Sequence, residues 1–174
     1  LVVIEDAAQS FGATSNGKPS CSVTKIACTS FYPAKPLGCF GEGGAVFTSD
    51  DEIAGRVRAI RTNGGEVRHN HTLIGYNARL ETLQAAVLLV KLRYFADVLK
   101  KRAELGSMLP AALAGARCVA PSIAPGNTHT YAQYTIRVQA SARAEVIEKL
   151  KQRGIPTAIY YPKCCHLQPC YAYL

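Results

Sequence analysis

The chain has 174 residues, 48% of them hydrophobic, enough to bury the core of one domain or one and a half, which excludes a disordered or fibrous protein. Gly (14) and Pro (9) are near average usage, and no low-complexity tract or solenoid-like repeat is present. Twenty Lys and Arg against twelve Asp and Glu give a net charge of +8. The basic residues are spread along predicted helices without forming a run, so nucleic acid is not an expected partner; anionic small molecules such as phosphates and sugar nucleotides suit this balance, and so does a plain solvated basic surface.

The opening LVVIEDAAQ is an apolar run entering acidic and polar residues, with no basic n-region and no small-residue cleavage site. It predicts a strand over Leu1 to Ile4, not a signal peptide. Further strands are predicted over Ile26 to Phe31 and Gly44 to Ser49, each short, apolar and bounded by polar or Gly-rich turns. Asp50 then predicts an N-cap, with Ile53, Val57 and Ile60 at helical spacing and Gly64 as the stop.

From Leu80 to about Gly115, Ala, Leu, Lys and Glu recur with apolar residues three and four apart, predicting one long or two consecutive helices that connect domains. The longest strongly apolar stretch, Leu83 to Val90, is far too short to span a bilayer, and no membrane association is expected. Strand Tyr131 to Val138, helix Ser141 to Arg153 closed by Gly154, and strand Thr157 to Tyr161 predict a small α+β unit. The domain boundary is expected near residue 95, with a larger α/β domain over 1–95 and a small C-terminal domain over 96–174. The chain opens inside a strand and ends soon after a helix start, as a fragment would.

The seven cysteines are odd in number and scattered (21, 28, 39, 118, 164, 165, 170), which predicts reduced thiols in a cytoplasm and not a disulfide framework. Cys164, Cys165, His166 and Cys170 contain no C-x-x-C pair, and adjacent cysteines rarely share one tetrahedral site, so no metal is expected.

Two clusters carry chemistry. Asp6 follows the first strand, where ligands of open α/β sheets sit; a carboxylate there can hold a pyridinium nitrogen protonated, or can serve as a turn or N-cap aspartate. Gln9, one helical turn on, can hydrogen-bond a ring oxygen. In the second cluster Lys35 stands between Pro33 and Pro36 with only Ala34 intervening, so its amine has a defined direction; desolvation and cationic neighbours free such an amine to form an imine. Ser30 ends the preceding strand and can meet a phosphate. The glycines after Lys35 allow tight turns and close approach, as they also do in ordinary hairpins.

In order, VIEDAAQSFGA, TSFYPAKPLG, GEGGAVFTSDDE, IGYNARLETLQAA, GIPTAIYYP and HLQP resemble the motifs of the DegT/DnrJ/StrS sugar aminotransferases, over nearly the whole chain. The resemblance implies an α/β protein of the pyridoxal-phosphate (PLP) dependent transferase fold type I, a partial large domain plus a small α+β domain. It implies that Lys35 forms the internal Schiff base, Asp6 pairs with the pyridine nitrogen, Gln9 lies by the ring hydroxyl and Ser30 binds the phosphate. Asn77 would reach the phosphate of the neighbouring subunit, which implies a homodimer with shared sites.

Relatives that dehydrate sugars carry His where this chain has Lys35, so the lysine implies transamination. SCSVTKIACTSFYPAKPLGC and TYAQYTIRV look most like enzymes that aminate UDP-2-acetamido-2-deoxy-3-oxo-hexuronic acid with glutamate, for surface polysaccharides such as lipopolysaccharide O-antigen. The alternatives are an enzyme for a dTDP- or GDP-linked 4-keto-6-deoxy sugar and a non-catalytic PLP-binding regulator. Arg79 is then a candidate to pair with a carboxylate, of the uronate or of glutamate, or is a surface arginine at a helix start. Tyr160 and Tyr161 are candidate substrate contacts where many relatives have His in an HYP motif, and Lys163-Cys164-Cys165 replaces the usual Pro-containing apolar stretch. The family's N-terminal half, which supplies further phosphate and sugar contacts, is not in this sequence, so the piece alone is expected to be inactive.

Overall fold

A computed structural model describes residues 1–173 of the chain. It divides into two compact units, the first made of Leu1–Ala114 with Ala120–Thr135, the second of Gly115–Val119 with the chain from Ile136 onward.

The first unit is built on a three-stranded sheet in the order β1 (Ile4–Asp6), β4 (Ile26–Ser30), β5 (Gly44–Thr48); β1 and β4 are parallel, β4 and β5 antiparallel. β1 begins later than the apolar run predicts. Its partner starts only at Ile26, because Cys21 N–H and Val23 N–H are tied to the Glu5 carboxylate (2.8 and 3.2 Å), which holds residues 21–23 in a loop and leaves Leu1 to Val3 nothing on β4 to pair with. Between β1 and β4 runs a small antiparallel hairpin, β2 (Thr14–Ser15) with β3 (Lys18–Pro19).

Along β4 burial alternates, with Ala27 and Thr29 (0% and 6% exposed) on the covered face, as a half-buried strand requires. The core beside it gathers Phe31, Leu37, Cys39, Leu88 and Phe95, with Phe11, Ala45 and Leu99 packed against them. Phe11 stacks on Phe95 and meets Phe31 edge-on, at centroid distances of 5.7 and 6.1 Å.

Helix α1 (Asp51–Arg61) starts as predicted: Asp50 accepts from Ile53 N–H (3.1 Å), acidic residues fill the first turn and Arg58 and Arg61 the last, each sign matched to the helix dipole. It stops where Gly64 takes φ +87°, a position at which any Cβ would lie 1.6 Å from Leu73 O, so only glycine fits. The predicted helical stretch is two consecutive helices, α2 (Thr82–Leu92) and α3 (Phe95–Ala112), both in the first unit.

The second unit pairs β6 (Cys118–Val119) with β7 (Arg137–Val138), followed by a 3-10 turn at Ala140–Ala142 and helix α4 (Arg143–Gln152), which ends at Gly154 (φ +73°). Two predicted strands are corrected. Of Tyr131 to Val138 only the last two residues pair, since Tyr131 adopts φ +47°, incompatible with an extended chain, and its carbonyl is held by Arg102 Nη1 (2.8 Å). Thr157 to Tyr161 forms no ladder and reaches Tyr161 at φ +21°; alternation alone does not make a strand without a neighbour to bond. Among the described residues no helix is long and apolar enough to cross a membrane, all cysteines are free, and no group of three or more His, Cys, Asp or Glu is placed to hold a metal.

Candidate active site

Because β1 and β4 run parallel, their carboxyl ends share one edge of the sheet, the edge where α/β folds collect ligands. Asp6 is the last residue of β1, paired with Cys28, and its exposed carboxylate accepts Ala8 N–H through Oδ1 (3.0 Å). The strand exit is fixed by Ala7 N–H to Cys28 O (2.8 Å) and Thr29 Oγ1 to Ala7 O (3.1 Å). A helical turn follows, closed by Phe11 N–H to Ala7 O (3.0 Å), and carries the exposed Gln9. Thr130, 2% exposed, donates its hydroxyl to Gln9 O (3.1 Å) and so ties that turn to a distant part of the chain.

Ser30 ends β4, and its Oγ accepts Tyr32 N–H (3.2 Å), which leaves the hydroxyl proton free to be donated. The chain then turns over Pro33 and Ala34, and Lys35 N–H bonds to Tyr32 O (2.9 Å). Lys35 is half-buried while Pro36, Leu37, Gly38 and Cys39 after it are buried, so the lysine stands on an anchored segment. Gly38 passes so close beneath the turn that a Cβ there would lie 2.6 Å from both Tyr32 O and Pro33 O. The loop returns to the sheet through Cys39 N–H to Phe31 O (2.8 Å) and Phe31 N–H to Gly43 O (2.7 Å).

Asp6, Gln9, Ser30 and Lys35 therefore share the exit edge of β1 and β4. Asn77 and Arg79 lie on a segment laid along the end of α1, through Tyr76 N–H to Ile60 O (2.7 Å) and Ala78 N–H to Arg61 O (3.0 Å). That segment reaches the same end of the sheet, since a Cβ on Gly43 would lie 3.0 Å from Leu80 Cδ1. Both side chains are exposed, and among the described residues neither hydrogen-bonds to Asp6, Gln9, Ser30 or Lys35. Tyr160 and Tyr161 belong to the second unit, 67% and 79% exposed.

Three contacts on the lysine loop had no counterpart in the sequence reading. Gln84 Oε1 accepts Phe40 N–H (2.8 Å) and Gly41 N–H (3.0 Å), Lys91 Nζ donates to Gly38 O, and the Cys39 thiol donates to Phe31 O (2.9 Å) or Gly41 O (3.0 Å). The available signal was that, after Thr82, Gln84 and Lys91 are the only polar residues of an apolar helix.

Asp6 at the end of β1 and Lys35 on the turn after β4 lie within the motifs on which the resemblance rests, and residues 1–174 match the family described as DegT/DnrJ/EryC1/StrS aminotransferases. The chain belongs to that family. It is 46% identical over 172 residues to a UDP-2-acetamido-2-deoxy-3-oxo-D-glucuronate aminotransferase of Pseudomonas aeruginosa, covering 99% of this chain and 47% of that one. It is 42% identical to a pleiotropic regulatory protein of Geobacillus stearothermophilus (100% and 47% covered) and 39% identical to a dTDP-3-amino-3,4,6-trideoxy-alpha-D-glucose transaminase of Streptomyces venezuelae (99% and 45%). Among solved structures, S. venezuelae DesV in complex with a ketimine intermediate superposes with a TM-score of 0.94 at 38% identity, over 99% of this chain and 46% of that one. The chain thus spans about half the length of the curated relatives it matches. The shared fold is the α/β fold of PLP-dependent transferases of fold type I, of which this family member carries part.

Proposed function

We propose that the complete protein is a PLP-dependent aminotransferase that moves an amino group from glutamate to a nucleotide-linked keto-sugar. The observation that supports this reading is that Asp6 and Ser30 end β1 and β4, with Gln9 and Lys35 on the turns that follow, in a chain that matches the sugar aminotransferase family throughout. The donor set suits the cofactor: a primary amine on an anchored turn, a carboxylate with one oxygen still open, and a serine hydroxyl with its proton to give.

When bound, PLP supplies an electron sink that stabilises negative charge at the carbon losing or gaining its proton. Lys35 would hold the cofactor through its amine, and the same amine would serve as the group that moves the proton at that carbon. Asp6 keeps a proton on the ring nitrogen, Gln9 donates beside the ring oxygen, and Ser30 donates to the phosphate. Asn77 serves the site of the partner in a homodimer. Arg79 pairs with a carboxylate, and Tyr160 and Tyr161 contact the substrate.

The substrate we infer is a UDP-linked 2-acetamido-2-deoxy-3-oxo-hexuronate, processed in the cytoplasm for a surface polysaccharide. The P. aeruginosa relative's name supports this choice, and the S. venezuelae relative's name makes a dTDP-linked sugar the reading to test against it. The test has two parts. Borohydride reduction of the full-length protein with PLP, followed by peptide mapping, should place the pyridoxyl group on Lys35; an adduct on Lys18 or Lys25 refutes the assignment. A panel of UDP-, dTDP- and GDP-linked keto-sugars should then favour the 3-keto uronate, with Arg79→Ala lowering kcat/KM for it about ten- to a hundredfold, the worth of one charge-assisted contact. Measuring the two half-reactions separately tells a uronate contact from a glutamate contact, and preference for a 4-keto-6-deoxy sugar refutes the substrate.

A further inference from the structure

Helix α2 presents Gln84, Leu88 and Lys91 on one face, at the four- and three-residue spacing of neighbouring helical turns, and all three meet the loop that follows Lys35. Gln84 Oε1 accepts two successive backbone N–H groups, Phe40 at 2.8 Å and Gly41 at 3.0 Å. Leu88, 8% exposed, packs in the cluster that contains Leu37 and Cys39. Lys91 Nζ donates to Gly38 O. In the run from Leu83 to Leu92 these two polar side chains are the only ones, and both are committed to the same loop, while Leu83, Leu89 and Val90 lie 78%, 65% and 54% exposed.

The loop has reason to need such braces. It contains three glycines, Gly38, Gly41 and Gly43, and ordering such flexible backbone costs conformational entropy. Gly38 lies directly beneath the carbonyls of Tyr32 and Pro33, and Tyr32 O is the acceptor of Lys35 N–H. Whatever fixes Gly38 therefore fixes the turn that aims the lysine.

We propose that Gln84 and Lys91 are positioning residues for Lys35, acting from helix α2 through the loop 38–41 to set the direction of the lysine amine. This rests on the reading of Lys35 as the cofactor lysine. Leu88 supplies packing between them, and the two polar groups supply direction, because hydrogen bonds restrict orientation where apolar contact does not.

The test uses the full-length protein stripped of cofactor, with Gln84→Leu, Gln84→Glu, Lys91→Met and Lys91→Arg. Three quantities are read: the rate at which added PLP becomes attached to Lys35, the midpoint of the pH titration of the resulting absorbance band, and the melting temperature without cofactor. Gln84→Leu and Lys91→Met should slow attachment about tenfold, the fold-change of one ordinary hydrogen bond, and move the titration midpoint. Gln84→Glu and Lys91→Arg, which keep the acceptor and the donor, should stay within about threefold of the wild type on that scale. If Gln84→Leu does not accumulate as folded protein, Lys91→Met gives the same reading from the other end of the helix. Lowered melting temperatures with wild-type attachment rates and midpoints would overturn the proposal, and so would Gln84→Glu failing as fully as Gln84→Leu. An adduct away from Lys35 in the wild type removes the reading of Lys35 and this inference with it, a result seen before any variant is made.

Discussion

Gly38→Ala is the smallest change that tests how the lysine turn is held. The added Cβ would lie 2.6 Å from Tyr32 O and from Pro33 O and 2.9 Å from Pro33 C, all backbone atoms with no flexible side chain to yield. Gly38 is not among the residues with positive φ, so alanine tolerates its backbone conformation and the cost is steric. Overpacking of this kind costs about 1–3 kcal/mol, and the lower chain entropy of unfolded alanine offsets about 0.4–1 kcal/mol of it, leaving a net loss of up to about 2.6 kcal/mol. The strain is relieved by lifting the carbonyl of Tyr32, the acceptor of Lys35 N–H, which displaces the amine. A misplacement on the order of 1 Å costs about a hundredfold in rate, so under the proposed function kcat of the full-length protein should fall about ten- to a hundredfold. Urea unfolding and steady-state kinetics measure both effects. Gly55→Ala is the control: it has no atom within 4 Å of the new Cβ, lies inside α1, and should stabilise by about 0.5–1 kcal/mol without changing kcat. If Gly38→Ala matched the wild type in both midpoint and kcat, the close passage of Gly38 beneath the turn would not be what holds Lys35.

Two further predictions concern ionisation. The Asp50 carboxyl is held below its ordinary range by its hydrogen bond to the Lys25 ammonium (2.8 Å) and then by Ile53 N–H, so its contribution is present above the unfolded carboxylate value, about 4, and is lost as pH falls through the lower folded value. The difference in unfolding midpoint between wild type and Asp50→Asn should therefore shrink as pH is lowered from about 6 to about 3, and a constant difference refutes the account. The Cys21 thiol is pushed up to about 11 by burial, by the Glu5 carboxylate and by Cys28. At about pH 8.5 iodoacetamide should modify Cys21 about tenfold more slowly than the exposed Cys164, Cys165 and Cys170, after the lower thiolate fraction is offset by the greater nucleophilicity of a more basic sulfur. Site-resolved mass spectrometry reads these rates, and equal rates would contradict it. Because the folded thiol sits above its unfolded value, its stabilisation holds below the latter and disappears as pH rises through about 11.

Local chemistry made part of the fold legible. Asp50 before a 3.6-residue pattern marked the start of α1, and Gly64 and Gly154 marked helix ends, because caps and left-handed stops depend on residues within a turn of the site. Strands were less legible since a strand exists only through its partner. Leu1 to Val3 are as apolar as any strand, yet the ladder begins at Ile4 because Glu5 ties down the loop before β4. Tyr131 sits in an alternating run and still turns left-handed, held by an arginine 29 residues away. Neither tie has a local signature.

The candidate site divides the same way. Asp6, Ser30 and Lys35 could be singled out because few residue types can hold a ring nitrogen, donate to a phosphate or form an imine, and strand ends are where a parallel pair delivers them together. Gln9 followed from one turn of helical spacing, but not the buried Thr130 that fixes its carbonyl from 121 residues away. Gln84 and Lys91 act on the loop 43 and 53 residues before them, and nothing in TLQAAVLLVKL says which face of the helix is turned inward. An apolar helix that, past its first residue, has two polar residues seven apart does, however, pose a question of what those two residues bind, since a helix that is apolar all round has no cause to carry them. In this fold both bind the loop behind the lysine, so the two residues least like their surroundings in α2 are the ones that hydrogen-bond it, while Leu88 between them reaches it by packing.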